Sequence, residues 1–336
     1  MLAARLLALA VAVTLAFAAT AAAAQGALEV ARDGEGKPYP SRAIRMIVPF
    51  PPGGPADIIA RIVGQRMSGE WGQPVVIENR PGGNTAIGAQ MAARAAADGY
   101  TLFVPMDTTM VMNPLVTSSL PYDPLKDFAP ITLLTKNMSL VVVRSDGPRT
   151  IRELIAKAKA NPGKLNMGAG TITSRLGALL FARTAGIDVQ LVPFKGSPEI
   201  GQAVLAGTVD FALDSTGTSL PLIQSGHYRA LAKYSNRPLP ILPDLPSLSV
   251  AADLPALEES STWVALVVPA GTSPAIVDKI HREVARIYAD PAMAAKLQAI
   301  GIFPVSSAPA EFDAYIRSET ERWSKVLRDS GNIKLD

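Results

Sequence analysis

Short apolar runs alternate with amphipathic stretches along most of the chain, which predicts βα units on a mostly parallel sheet. Residues 42–49 have the pattern of a buried strand, and Pro55–Trp71 then repeats apolar residues at helical spacing. The series continues with a strand at Val75–Glu78, an alanine-rich helix at Thr85–Ala97 and a strand at Tyr100–Pro105. The first third of the chain is therefore predicted to be one α/β unit.

A second series of the same kind begins near residue 139. Thr150 precedes a helical stretch and is followed three residues later by Glu153, which is the pattern of a capping box. The predicted strands are 140–144, 165–167, 189–193, 208–214, 229–234 and 262–269. The predicted helices are 151–160, 174–184, 198–206, 274–289, 291–299 and 310–329.

Two irregular segments, Thr135–Ser139 and the proline-rich Pro238–Pro255, flank the middle of the chain. They predict two α/β lobes between which the chain crosses over and returns. Two lobes with a cleft between them suit hinge closure on a ligand. The expected boundaries are residues 39–136 and 262–305 for lobe 1, and residues 137–261 and 306–336, with a C-terminal helix, for lobe 2.

The first 24 residues have the pattern of a secretory signal peptide. Arg5 supplies the positive start, Leu6–Phe17 the apolar stretch and Ala22–Ala24 a cleavage site before Gln25. The alternative is a membrane anchor, for which this stretch is short against the ~20 residues of a span. We expect an exported, periplasmic protein with a flexible leader over residues 25–38.

The composition argues against several classes of function and of site. The 336 residues are 48% hydrophobic and 18% charged, which suits about two packed domains. The net charge of +3 comes from 32 basic and 29 acidic residues without a basic run, so nucleic-acid binding is not expected. The absence of cysteine excludes disulfides, thiolate metal sites and cysteine nucleophiles.

Catalytic motifs are missing, so we expect no enzyme, no catalytic residues, no metal and no cofactor. His227 and His281 have no plausible partner pattern, and no nucleophile elbow, zinc-protease motif or Walker loop occurs. The glycines at 168 and 170 resemble a dinucleotide loop, but Thr173 stands where the third glycine belongs.

Glycine-rich turns before helices are the candidate binding segments. A helix that follows such a turn offers free N–H groups, which attract anions such as carboxylates. The first turn is Pro49–Asp57, although Asp57 could instead cap its own helix. The first-lobe candidates are Phe50, Pro52, Gly53, Gly54, Asp57, Gly82, Gly83, Asn84 and Thr85.

Polar residues at other strand ends extend this candidate site. Asp107, Thr108 and Thr109 follow the third strand, at the carboxyl edge where ligands of α/β proteins bind. In the second lobe, Thr171, Thr173 and Ser174 precede a helix, and Asp214 ends a strand. Asp214 is expected either to meet an amino or hydroxyl group of the ligand or to cap the next helix.

Four segments resemble the tripartite tricarboxylate transporter substrate-binding proteins, the Bug family. They are YPSRAIRMIVPFPPGGPADIIAR (39–61), ENRPGGNTAIGAQMAARAAADGYTL (78–102), LPYDPLKDFAPITLL (120–134) and VPFKGSPEIGQAVLAGTVDFALD (192–214). The resemblance implies a periplasmic two-lobe Venus-flytrap fold, no catalysis and binding of organic anions. It also implies that the first-lobe loops, at Phe50–Asp57 and Gly82–Thr85, hold one ligand carboxylate.

The sequence departs from this family in the second lobe. Members often carry a longer loop that ends in His-Leu, whereas Gly170–Leu176 contains no histidine. Arg175 in this segment is expected either to donate to a second carboxylate, with bidentate geometry, or to point to solvent. Gly170 lies in the same loop, and Gly83 stands where many members have alanine.

The sequence therefore predicts a monomer that captures a small organic carboxylate by lobe closure and hands it to the membrane subunits of a transporter. One alternative is a sensor that signals to a membrane kinase. A less favoured alternative is a hydrolase on the same scaffold. Which carboxylate is bound does not follow from the residues.

Overall fold

The computed structural model describes residues 31–255, 257 and 261–329. The predicted signal peptide, its cleavage site and the first part of the leader lie outside these residues. No helix within the described ranges is long and apolar enough to cross a bilayer.

The helices and strands alternate as the apolar pattern predicts. The strands are β1 Ile44–Val48, β2 Val75–Asn79, β3 Thr101–Phe103, β4 Phe128–Arg144, β5 Asn166–Ala169, β6 Gln190–Pro193, β7 Phe211–Ser215, β8 Tyr228–Lys233, β9 Ser261–Pro269 and β10 Phe303–Pro304. The helices are α1 Pro55–Trp71, α2 Ala86–Ala93, α3 Asn113–Val116, α4 Ile151–Ala160, α5 Ile172–Ala185, α6 Ser197–Leu205, α7 Thr216–Gln224, α8 Leu248–Ala251, α9 Pro274–Ala289, α10 Pro291–Ala299 and α11 Pro309–Asp329. A π-helical turn, Thr108–Met112, precedes α3.

The strands form one continuous sheet in the order β2-β1-β3-β9-β4-β7-β5-β6, to which β8 and β10 add by pairing with β4. At one end β1 is parallel to β2 and β3, and at the other end β5 is parallel to β6 and β7. The two parallel halves are the sheets of two lobes, as the pattern predicts.

The long strand β4 joins these halves. Its first part, Phe128–Met138, pairs antiparallel with β9, and its second part, Ser139–Arg144, pairs with β7 and β8. The sequence predicted a strand only over residues 140–144. Polar residues such as Thr132, Thr135 and Asn137 interrupt the apolar pattern of the first part, yet all three are buried in the structure.

Helix α11 packs on β4 and on the π-helical turn through a buried aromatic cluster. Trp263 of β9 contacts Phe312 edge to face, with ring centroids 5.6 Å apart. Trp263, Phe312 and Trp323 are all completely buried. The assignment of residues 306–336 to lobe 2, like the other lobe boundaries, stays a prediction.

Residues 31–38, the described part of the predicted leader, form a turn around a buried aspartate. Asp33 Oδ1 accepts hydrogen bonds from the backbone N–H groups of Glu35 and Lys37, and Oδ2 accepts from the hydroxyls of Ser41 and Tyr100. These contacts attach the turn to the first sheet.

Candidate functional site

Two adjoining cavities lie between the parallel halves of the sheet. The inner cavity encloses about 40 Å³, and the outer cavity encloses about 410 Å³. Phe50, Gly170 and Thr171 line both, so a single ligand can extend from one into the other. Of the predicted residues, the inner cavity also contacts Gly54, Ser174 and Asp214, and the outer cavity Gly82, Gly83, Asn84, Thr85, Thr108 and Arg175.

The cleft is closed in this structure. A Cβ atom built on Gly196 would lie 3.5 Å from Pro51 Cδ, and one built on Gly53 would lie 3.6 Å from Pro198 Cγ. The turn before α1 therefore lies so close to the turn before α6 that one added side-chain atom would reach across. Arg175 of α5 also donates from Nη2 to Asn84 Oδ1 at 2.8 Å, across the cleft.

Several helices begin at the inner cavity. The N-cap residues of α1, α6 and α7 are Gly54, Gly196 and Ser215, and none of them caps its helix with a side-chain hydrogen bond. Helix α5 differs, because Thr171 Oγ1 accepts from the backbone N–H of Ser174 at 3.1 Å. The uncapped helix starts give this cavity a positive partial charge.

The loop at the outer cavity has an unusual backbone. Gly82, Gly83, Asn84 and Thr85 all have positive φ, at 128°, 56°, 48° and 77°. That conformation is costly for a β-branched residue such as Thr85, so other contacts must hold it. Asn113 supplies them, because its Nδ2 donates to Asn84 O at 2.7 Å and to Thr85 Oγ1 at 3.2 Å.

Replacing Asn113 with alanine is expected to destabilise the protein by about 1–3 kcal/mol, because buried hydrogen-bonding groups of the loop lose their partner. Asn113 is 1% exposed and also donates to the Tyr122 hydroxyl. Urea unfolding measures the change. Asn161→Ala is the matched control: within the described ranges that exposed amide bonds only Lys157 O, so its removal should cost under ~0.5 kcal/mol. Equal losses in both variants would contradict the role of Asn113.

Arg175 is a buried cation without a carboxylate partner. Its side chain is 9% exposed, Nε has no hydrogen-bond partner, and no ion pair joins it to an acidic residue in the described part of the chain. Burial lowers the pKa of its guanidinium. Thr108 Oγ1, on the same cavity, is also buried and unpartnered. These two groups leave the outer cavity with unused hydrogen-bond donors.

Asp214 is a buried acid at the inner cavity, 4% exposed. Its Oδ2 accepts from Ser219 Oγ at 2.9 Å and from Thr218 Oγ1 at 3.2 Å, whereas Oδ1 has no partner. Burial raises the pKa of this carboxyl; Ser197 lies close enough to offset part of the rise, although Oδ1 forms no hydrogen bond with it. Asp214 does not cap α7 through a backbone N–H, since Ser215 occupies the N-cap position.

Six of the predicted residues line neither cavity: Pro52, Gly53, Asp57, Asp107, Thr109 and Thr173. Asp57 accepts from Gly53 N and from Arg61 Nε, each at 2.9 Å, and so fixes the turn before α1. Thr109 Oγ1 donates to Thr85 Oγ1 at 2.9 Å and supports the outer loop.

Asp107 and Thr173 form a buried link between β3 and α5. Asp107 is 1% exposed, and its carboxylate accepts from Thr173 Oγ1 and, at 3.3 Å, from Trp263 N. Burial raises the pKa of Asp107 to about 7. Asp107 therefore helps to hold the two sides of the closed cleft together and does not line either cavity.

The sequence did not predict several polar residues of the inner cavity, namely Ser139, Ser197 and Thr262. Ser139 lies where β4 passes from one half of the sheet to the other, and Thr262 lies at the start of β9. The only signal for Ser139 and Thr262 is a small hydroxyl residue beside a long apolar run. Ser197 follows Gly196 as the first residue of α6, in the same turn pattern that marked the other candidate loops.

Comparisons with known proteins show that this chain is similar to the receptors of one transporter family. Residues 59–332 match the tripartite tricarboxylate transporter family receptor. The chain is 36% identical over 293 residues to the UPF0065 protein in the tcbD-tcbE intergenic region of Pseudomonas sp., covering 86% of each chain. The R. palustris protein Rpa4515, solved with adipate, is 31% identical, with a TM-score of 0.84 over 87% of this chain and 98% of that one. Periplasmic binding protein BugD is 28% identical, with a TM-score of 0.81 over 87% and 99% of the chains.

Proposed function

We propose, from the premise that this chain belongs to the tripartite tricarboxylate transporter receptor family, that it binds a small organic carboxylate between its lobes and delivers it to a transporter. This family is one of periplasmic solute-binding receptors, so the predictions of the family and of a non-enzymatic role are confirmed. Delivery to membrane subunits is the role that the family's description implies.

The proposal that the ligand is a carboxylate rests on Arg175, whose guanidinium has no acidic partner in the described part of the chain. A buried charge without a counterion is costly, and a guanidinium presents paired N–H donors that match the two oxygens of a carboxylate. The outer cavity has room for such a group beside Arg175, Thr108 and the Gly82–Thr85 loop. The adipate in the related R. palustris protein supports the same ligand class.

We propose that binding and closure are coupled through these residues. Arg175 reaches across the cleft to Asn84, so a carboxylate beside it contacts both sides at once. A ligand that contacts both lobes favours the closed form by its difference in affinity between the closed and open forms. The closed form is then the one that docks on the transporter.

Thermal unfolding of the exported protein against a panel of carboxylates tests this function. A ligand at ~100 times its dissociation constant should add about 2.7 kcal/mol of stability and raise the midpoint by several degrees. The panel comprises dicarboxylates, citrate, acidic amino acids, nicotinate and aromatic diacids, each paired with its neutral amide. The amides should leave the midpoint unchanged. Equal shifts with acids and amides, or no carboxylate response after denaturing and refolding, would reject the ligand class.

The same preparation tests the proposed export. We propose that residues 1–24 are removed and that the mature protein is a monomer beginning at Gln25. Intact-mass measurement and light scattering of the periplasmic protein check both points. A chain that retains residues 1–24, or a stable dimer, would contradict this proposal.

A further inference from the structure

We propose that Asp214 receives a hydrogen-bond donor of the ligand, an ammonium or hydroxyl group at the end opposite its carboxylate. This inference rests on the proposed function and specifies the ligand further. The ligand class is thus an amino or hydroxy carboxylate whose two polar ends lie in different cavities.

The unpartnered oxygen of Asp214 is the first observation. Thr218 and Ser219 both donate to Oδ2, whereas Oδ1 is buried and accepts from nothing in the described part of the chain. Buried polar atoms are nearly always satisfied. Ser197 lines the same cavity and offsets part of the rise in the pKa of this carboxyl, but it does not bond Oδ1 in this structure, which leaves that oxygen open to a donor of the ligand. A carboxylate oxygen accepts hydrogen bonds, and an ammonium or hydroxyl donor beside Oδ1 favours the ionised form of Asp214 against the burial that raises its pKa, so the missing partner is a donor.

The inner cavity contains an acidic residue, whereas most charged residues of the outer cavity are basic. This difference matches a ligand with a donor group at one end and a carboxylate at the other. Asp214 is the one ionisable residue among the described residues that line the inner cavity. The outer cavity instead contains Arg175 and Lys195, with Glu199 as its acid. A ligand carboxylate is therefore attracted to the outer cavity and repelled from Asp214, while an ammonium group has the opposite preference.

The uncapped starts of α6 and α7 do not reverse this preference. A helix start contributes a partial charge worth about 0.3–1 kcal/mol, which is less than the effect of a full charge on an adjacent side chain. These helix starts stabilise the negative charge of Asp214 itself. This effect opposes the burial that raises the pKa of Asp214, and an ammonium group beside Oδ1 would add to it.

The size of the inner cavity limits which part of the ligand enters it. Its volume of about 40 Å³ corresponds to roughly three waters at ~10–15 Å³ each. A terminal CH₂–NH₃⁺ or CH₂–OH group fits this space, whereas a whole ligand does not. Because Phe50, Gly170 and Thr171 line both cavities, the rest of the ligand continues past them to Arg175.

Calorimetric titration with four acids of one length tests this inference: ε-aminocaproate, ε-hydroxycaproate, caproate and adipate. The wild-type protein should bind the amino and hydroxy acids at least ~10-fold more tightly than caproate and adipate, because only they provide a donor to Asp214. In D214N, whose amide keeps an acceptor oxygen but loses the charge, the preference for the amino acid over caproate should fall to under ~3-fold. Asp188→Asn, an exposed acid of the same half, is the matched control and should keep the wild-type preference.

The outcomes separate the inference from the function on which it rests. Tightest binding of adipate, or a preference for the amino acid that survives undiminished in D214N, overturns the inference and leaves carboxylate binding intact. Failure of all four acids, while other carboxylates raise the unfolding midpoint, also overturns the inference alone. Failure of every carboxylate overturns both. If D214N does not fold, the order of the four affinities in the wild-type protein decides the question by itself.

Discussion

Replacing Arg175 with glutamine is expected to weaken carboxylate binding by roughly 30-fold or more. Removing one partner of a buried, hydrogen-bonded charge pair costs about 2–5 kcal/mol, and each 1.4 kcal/mol is about a tenfold change in affinity. Glutamine ends near the position of Nε, so this substitution removes both the charge and the Nη2 contact with Asn84 Oδ1. Calorimetric titration with the best carboxylate of the thermal panel measures the change.

Stability without ligand should respond differently to this substitution. Arg175 is desolvated and has no acidic partner in the described chain, so its removal should change the free energy of unfolding by under ~1 kcal/mol. Arg152→Gln is the matched control, because Arg152 is exposed and, among the described residues, donates only to Ala251 O. It should leave the affinity unchanged. Wild-type affinity in R175Q would show that the carboxylate lies elsewhere.

The free energy of unfolding is expected to depend on pH through Asp107. Its pKa rises from the ordinary value of 3.8 to about 7 in the folded protein, because the carboxyl is completely buried. The folded state therefore binds this proton more tightly than the unfolded state does. The contribution of Asp107 to stability is full below pH ~4 and is lost as the pH rises through about 7.

The size of this loss is up to about 4 kcal/mol, since each pKa unit corresponds to about 1.36 kcal/mol. Urea unfolding at pH 5 and pH 8 covers about 2–3 kcal/mol of this loss, because part of it already occurs between pH 4 and pH 5; D107N is the comparison that lacks the titrating group. Wild-type stability should fall between these pH values by more than that of D107N. Asp188→Asn should follow the wild type. Parallel pH profiles for wild type and D107N would show that Asp107 stays ionised.

Most of the regular elements could be predicted because their sequence pattern is local. Helices α1, α4, α9 and α10 begin and end at the predicted residues, since proline, a capping threonine and glycine or asparagine mark their ends. The π-helical turn, the bounds of α7 and the first half of β4 were not predicted. Their polar residues are buried by contacts from distant parts of the chain, which no local pattern contains.

The candidate loops were also predicted, but their division of roles was not. The glycine-rich turns at 53–54 and 82–83 indicated backbone close to a ligand, and both lie at the cleft. Asp57, Asp107 and Asp214 look alike in sequence, as acids beside a strand end or a helix start. Only the fold separates them, by giving Asp57 and Asp107 protein partners on their carboxylates and leaving Asp214 with one free oxygen.

The sequence by itself determined the alternation of strands and helices, the two-lobe class and the family, because apolar period and motif spacing are properties of neighbouring residues. The tertiary structure decided which polar groups meet across the cleft. Arg175 and Asn84 are 91 residues apart in sequence, and Asp107 and Thr173 are 66 apart. Their contacts depend on the long strand β4 passing through both halves of one sheet, and so do the size and charge of the cavities between them.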